Sequence, residues 1–292
     1  MRCWGMAPVV LLARGIARLP QWLLLGLSGL LSFLLWPLLA RRRRIAAINL
    51  ALCFPELSGA ERRRLLHDNQ RATVMGALEL LRAWYAPSHS LAGLAQIEGL
   101  EEVRAALDAG QGVLLFTGHF TCTELAARLV SEALGRPLAV VVRRNNSVCL
   151  EQAMAQARSR VFSPVLEKKD VRGLLRTLLG GHGLVYSADQ NFTYQNAFVP
   201  FFGIQAATLT STPEMARRGQ ARVLPFWFHR EADGTYRIRI EQPWNGWIEA
   251  SAEQAAAIYM RELETVVRQH PEQYLWVHRR FKTRPPGEPA IY

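Results

Sequence analysis

Residues 22–40, WLLLGLSGLLSFLLWPLLA, run nineteen positions without a charged side chain. As one helix at 1.5 Å per residue they would span roughly 28 Å, close to the ~30 Å hydrocarbon thickness of a bilayer. Arg41, Arg42, Arg43 and Arg44 follow at once. That edge predicts a membrane-anchoring helix with the downstream chain on the cytoplasmic side. Arg2, Arg14 and Arg18 stand on the other flank and oppose that orientation less densely. The same run also allows a re-entrant or in-plane anchor, or a buried hairpin broken near Pro37. Residues 9–20 form a basic amphipathic stretch suited to a membrane interface. No small-residue cleavage site follows the run, so it does not read as a signal peptide.

Beyond residue 44 the pattern changes period. Residues 61–84 carry Leu65, Leu66, Val74, Leu78, Leu81 and Trp84 at helical spacing, and Pro87 closes the segment. A short helix from Glu101 to Ala109 precedes the apolar strand GVLLFTG, and the helix ELAARLVSEALG follows it. The strand LAVVVRR leads to a helix from about Val148 to Arg160. A helix over 170–179 leads in turn to the strand LVYSA. This alternation predicts an α/β fold with a mainly parallel central sheet flanked by helices. RVLPFWFHR and TYRIRIEQP, joined through Asp233-Gly234, read as a hairpin, and residues 252–269 as a final helix bounded by Pro271. The expected organisation is an anchor over 1–44 and one α/β domain over 45–292.

Composition narrows the functional classes. The chain has 292 residues, half of them apolar and 20% charged, which excludes a disordered chain. Four cysteines, at 3, 53, 122 and 149, show neither the density of a disulfide scaffold nor paired metal spacing. The net charge of +11 suits nucleic acid, anionic lipid or an acidic protein. A membrane anchor argues against nucleic acid.

The candidate chemistry begins where the strand at 113–116 runs into Thr117-Gly118-His119-Phe120-Thr121-Cys122-Thr123-Glu124. His119 falls in a loop at the carboxyl end of a strand, where open α/β sheets place their ligands. An imidazole there can take a proton from an alcohol, with a carboxylate fixing its tautomer. Glu124, in the first turn of the next helix, is a candidate for that carboxylate, although Thr121-x-x-Glu124 also fits a capping box. Cys122 is a rival nucleophile or a buried filler. Arg143 and Arg144 end a strand on the same sheet edge and suit a phosphate, or simply solvent. Arg158 closes a helix, where the dipole alone favours it. Asp189 follows LVYSA at another carboxyl edge, as a brace or a turn cap. Phe198 and Phe201 flank Pro200 and could line an acyl groove or the core. No further ligands accompany His119, Cys122 and Glu124, so no metal site is expected.

The segment GHFTCTE resembles the HX4(D/E) motif of the bacterial lipid A late acyltransferases, the lauroyl and myristoyl transferases of the glycerolipid-acyltransferase-like group. RRRRIAAINLALCFPELS, VVVRRNN, SADQNFTYQNAFVPFFG and YLWVHRRFKTRP resemble further family blocks in the same order, so the likeness covers about residues 20–285. The resemblance implies an enzyme of the bacterial inner membrane with its catalytic domain on the cytoplasmic face. It implies transfer of an acyl chain from acyl carrier protein thioester to a hydroxyl of a lipid A precursor, with no bound cofactor. His119 would be the general base and Glu124 would orient it. Arg158 and Asp189 would contact or position the acceptor. Another lipid acceptor, such as a lysophospholipid or ornithine lipid, fits the same motif, as does a catalytically silent membrane-binding scaffold. Expected partners are acyl carrier protein, the anionic glycolipid and inner-membrane lipids.

Overall fold

A computed structural model describes residues 5–292; Arg2 and Cys3 lie outside the described residues. The long apolar run is not one helix. Helices α1 (Met6–Ala17), α2 (Gln21–Leu34) and α3 (Ala40–Cys53) are separated by short turns, and the turn after α2 takes up residues 35–39. Pro37 lies in that turn, where its missing amide and fixed φ are tolerated as they would not be inside a helix. The 14 residues of α2 reach only ~21 Å.

Leu24, Ser28 and Ser32, four residues apart on one face of α2, are buried. Leu24 packs with Met75 and Leu78 of α4 (Gly59–Tyr85). The amide of Gln70 on α4 donates to the Ser32 carbonyl at 2.9 Å. Among the described residues no helix is long and apolar enough to cross a membrane. The expected membrane-anchoring helix is therefore corrected. The inner-membrane placement with the catalytic domain on the cytoplasmic face, expected from the resemblance and from that helix with its arginine edge, loses the spanning helix and is corrected on that point.

The helix read over 61–84 is α4. Its start is fixed by a capping box in which Ser58 and Glu61 exchange side-chain and backbone hydrogen bonds. The chain then alternates through β1 (Ala95–Glu98), α5 (Leu100–Asp108), β2 (Val113–Thr117), α6 (Thr123–Leu134), β3 (Ala139–Val142), α7 (Val148–Arg158), β4 (Val165–Glu167), α8 (Val171–Leu179) and β5 (Gly183–Ser187). A separate two-stranded ribbon, β6 (Asn196–Phe201) and β7 (Ile204–Leu209), follows. The chain ends with α9 (Thr212–Arg218), β8 (Arg222–Arg230), β9 (Tyr236–Ile240) and α10 (Ala252–Gln269).

The main sheet has the order β1-β9-β8-β2-β5-β3-β4. It is mixed: β8 and β9 pair antiparallel as a hairpin, and the other neighbours are parallel. Gly234 turns that hairpin at φ 88°, a conformation a glycine adopts without steric cost. Strand β2 is buried at all five positions: β8 and β5 flank it, and Val113–Phe116 lie within the main hydrophobic core.

A buried polar knot ties α4 to the hairpin. Glu79, fully buried, accepts from Arg230 Nη1 and from the Tyr236 hydroxyl, each at 2.6 Å. Gln21 at the start of α2 joins it by donating to the Tyr236 hydroxyl at 3.2 Å, and donates to the Gly234 carbonyl at 2.9 Å.

Candidate active site

Register brings the site together. Strands β2 and β5 are parallel neighbours with Thr117 opposite Ser187. Two residues beyond that pair, at the carboxyl edge of the sheet, the chain places His119 and Asp189. The His119 Nδ1 lies 2.5 Å from Asp189 Oδ1, and the His119 backbone N–H donates to Asp189 Oδ2 at 2.9 Å. The Tyr274 hydroxyl donates to the same oxygen at 2.8 Å. A carboxylate only accepts, so Nδ1 carries the ring proton and Nε2 carries the lone pair. The Asp189 side chain is 1% exposed and that of His119 is 34% exposed, so the orienting group is dry while the imidazole reaches the surface.

Two charges so placed shift each other. Burial alone would lower the His119 pKa, but the Asp189 carboxylate and its hydrogen bond raise it above the ordinary imidazole value. Burial alone would raise Asp189; the charge of His119, its two hydrogen bonds and that of Tyr274 instead hold the carboxyl well below the usual carboxylate range.

The loop between β2 and α6 is clamped from a distance. Leu275 N–H donates to the His119 carbonyl at 3.0 Å, and Thr121 N–H to the Gln273 carbonyl at 2.9 Å. Phe120 and Tyr274 thereby form an antiparallel bridge. Tyr259 on α10 adds a hydrogen bond from its hydroxyl to the Thr117 carbonyl at 2.8 Å. A Cβ at Gly118 would lie 2.4 Å from Leu263 Cδ1, so any larger residue there needs that side chain to shift.

Glu124 is not part of this cluster. Its carboxylate takes Arg158 Nε at 3.0 and 3.1 Å, Arg158 Nη2 at 2.7 Å and Trp84 Nε1 at 2.5 Å, with no hydrogen bond to His119. The carboxylate on the imidazole belongs to Asp189. The Thr121-x-x-Glu124 capping box does not form either: Cys122 is the N-cap of α6 and makes no side-chain cap. Arg158, with 8% of its side chain exposed, is held by Glu124 and lies over the Trp84 ring at 4.8 Å, so it bridges α7 to α4 and α6. Arg143 and Arg144 lie on the exposed end of β3, beyond β5 from His119, and Arg144 pairs with Glu167 at 2.6 Å.

Phe201 is fully buried against Tyr274 and Trp276, where it supports the clamp and offers no surface to an acyl chain. Phe198 is half-buried on the β6–β7 ribbon. Cys122 is 1% exposed, and burial pushes its thiol far above the ordinary value, which opposes a nucleophilic role. Among the described residues no group of three or more potential ligands could hold a metal.

Sequence reading missed Tyr274 and His278. His278 shares a small cavity with His119, Asp189, Gln190 and Arg280. Its Nε2 accepts the Asn191 backbone N–H at 3.1 Å, so the neutral ring carries its proton on Nδ1. Burial lowers its pKa to about 4, and the ring is neutral at pH 7. Arg280 is buried too, donating to the Ala207 carbonyl at 2.8 Å and to Thr208 Oγ1 at 2.5 Å.

The family profile described as "Bacterial lipid A biosynthesis acyltransferase" matches residues 1–283. The chain is 34% identical over 280 residues to the lipid A biosynthesis lauroyltransferase of Escherichia coli (strain K12), covering 95% of this chain and 91% of that protein. It is 32% identical over 279 residues to the palmitoleoyltransferase of the same organism, covering 94% and 90%. It is 28% identical over 256 residues to the myristoyltransferase, covering 86% and 78%. A profile match over nearly the whole length and relatives 32–34% identical over more than nine-tenths of the chain show the family: this chain belongs to the bacterial lipid A biosynthesis acyltransferases and is an acyltransferase.

Proposed function

We propose that the enzyme transfers a fatty acyl chain directly from an acyl carrier protein thioester to a hydroxyl of a lipid A precursor, with His119 as general base. The observation that carries this reading is the His119–Asp189 contact, which leaves Nε2 as the basic nitrogen on the more exposed side of the pair. Nε2 takes the proton of the acceptor hydroxyl as its oxygen attacks the thioester carbonyl. The tetrahedral intermediate collapses, the C–S bond breaks, and the imidazolium returns the proton to the departing carrier thiolate. Asp189 holds the tautomer and stabilises the imidazolium while both exist.

The loop amides of His119, Phe120 and Thr121 already have acceptors, so they do not supply the oxyanion donor. His278 fits that role as a neutral donor through Nδ1–H from the same cavity. Glu124 is a positioning residue: it neutralises Arg158 and fixes the first turn of α6 behind the His119 loop.

The test is a transfer assay in mixed micelles, with carrier thioesters as donors and products resolved by mass. A tetra-acylated lipid A precursor and a lysophospholipid compete as acceptors. The reading requires an acylated lipid A product that is lost in His119→Ala and Asp189→Asn and retained in Cys122→Ala. Product from the lysophospholipid alone would overturn the acceptor. Loss in Cys122→Ala with a trapped acyl-enzyme would overturn direct transfer.

A further inference from the structure

A groove of about 400 Å³ opens between α3, α4 and the segment after Tyr274, with Leu39, Arg42, Arg43, Leu66, Gln70 and His278 among its walls. It shares Leu275 and His278 with the small cavity that holds His119 and Asp189, so the two spaces adjoin. Its lining is mainly apolar, with a basic rim. Arg43 lies over the Trp36 ring at 4.2 Å and donates to the Trp36 carbonyl, while Arg42 donates to the Val277 carbonyl at 3.4 Å. Among the described residues neither guanidinium has a carboxylate partner, unlike Arg158 and Arg230. Two fixed, unneutralised guanidinium groups at a groove mouth suit a phosphate ester.

The wall asks for hydrogen bonds as well. Gln70, 6% exposed, spends its amide nitrogen on Ser32, and among the described residues neither its Oε1 nor Thr73 Oγ1 in the same wall has a partner. A buried acceptor left unpaired costs about 1–3 kcal/mol. A ligand with amide N–H groups behind its phosphate would satisfy it once these buried side chains turn toward the groove they line. A multiply acylated, phosphorylated disaccharide is too bulky for this space, whereas one linear arm suits a pocket of this size. Beyond the rim the surface remains basic through Arg63, Arg64 and His67, interrupted by Asp68, and the His67 ring lies 5.7 Å from that of Trp36.

We propose that this groove is the donor subsite, receiving the phosphopantetheine arm of the acyl carrier with its phosphate on Arg42 and Arg43, its amides along Gln70 and Thr73, and its thioester at the His278 end beside His119. The proposal rests on the carrier-thioester reading above.

The experiment is steady-state kinetics of the full chain, wild type and the Arg42→Ala/Arg43→Ala double variant. Three donors are compared: the carrier thioester, acyl-pantetheine 4′-phosphate and acyl-pantetheine without the phosphate. In the wild type the phosphorylated small donor should show a KM at least tenfold below its dephosphorylated counterpart. In the double variant the KM of both phosphorylated donors should rise 10- to 100-fold, removing that preference, with kcat and the acceptor KM little changed. Leu66→Trp, which narrows the groove without touching its charge, should raise the KM of all three donors. A phosphate preference that survives the double variant overturns the proposal. So does a rise confined to the acceptor KM, which would place a sugar phosphate on this rim. A wild-type enzyme silent with the carrier thioester but active with both pantetheine donors would refute the carrier reading, while the KM comparison between those two donors still decides the groove.

Discussion

Replacing Asp189 by asparagine separates the two roles assigned to it without changing its size. One oxygen remains, and at the Oδ2 position it can still accept from the His119 backbone and from Tyr274. The amide NH2 then faces Nδ1 in place of Oδ1, where a second donor is not tolerated. The ring responds by moving its proton to Nε2, the nitrogen that must be free to act as base. A hydrogen bond to a charged group is worth about 1.5–3 kcal/mol, so losing the carboxylate's support of the imidazolium costs about 10- to 150-fold. The tautomer change adds to that, and kcat should fall by about 10²–10⁴.

The pH profile supplies an independent sign. His119 is raised above the ordinary 6.5, so in the wild type kcat/KM should climb with pH through a limb above that value as the base is freed. In Asp189→Asn the residual limb should move to lower pH, because the group that raised it is gone. Acyl transfer measured across pH 5–9 at both limiting and saturating acceptor would test both effects. A variant within fivefold of wild type, or a limb that does not move, would refute the assignment of Asp189 to the imidazole.

The same pair predicts stability. His119 is raised, so its contribution is complete below 6.5 and lost as pH rises through the folded value; Asp189 is lowered, so its contribution is complete above 3.8 and lost in acid. The Tm advantage of wild type over Asp189→Asn should therefore peak between those two values, and a flat difference from pH 3 to 9 would contradict it. Glu124→Ala leaves Arg158 buried without its partner and should cost about 3–5 kcal/mol in denaturant unfolding, while the His119 limb of any residual activity stays in place. Movement of that limb would put Glu124 back on the imidazole. Glu79→Ala strands Arg230 in the same way, at about 3–5 kcal/mol, and a loss below 1 kcal/mol would show that the buried knot is not holding the hairpin to α4. Gly118→Ala should cost about 1–3 kcal/mol by overpacking and be largely restored by Leu263→Ala; failure of that rescue would locate the strain elsewhere.

Features written in local pattern were legible in the sequence. The helix at Gly59–Tyr85, the buried strand at Val113–Thr117 and the hairpin turned at Asp233-Gly234 each announce themselves within a dozen residues. The run at 22–40 misled because apolar length does not say what an apolar face rests on: Leu24, Ser28 and Ser32 pack on α4, and Pro37 ends the helical path. The sheet's mixed character follows from where the hairpin docks, with β8 beside β2 and β9 carrying β1 at the edge, and no short window encodes that. His119 was legible as a loop histidine after a strand. Its carboxylate was not, because motif spacing favours Glu124 while the β2–β5 register delivers Asp189. Tyr274 and His278 stand in the YLWVHRRFKTRP block, but nothing local gave either a role, since their significance arises only when a distant segment returns to the loop.

The Phe120–Tyr274 bridge also bears on the order of events during synthesis. The strands that form the sheet centre are all made before residue 274 leaves the ribosome, yet the loop bearing His119 lacks its bridge to residues 273–275 until then. Contacts so far apart in sequence close late, because the intervening chain must first be ordered. A growing or truncated chain can thus possess its core and still present a slack histidine beside a half-satisfied aspartate. Competence for chemistry becomes a late checkpoint of folding, passed only when the segment around Tyr274 has been made.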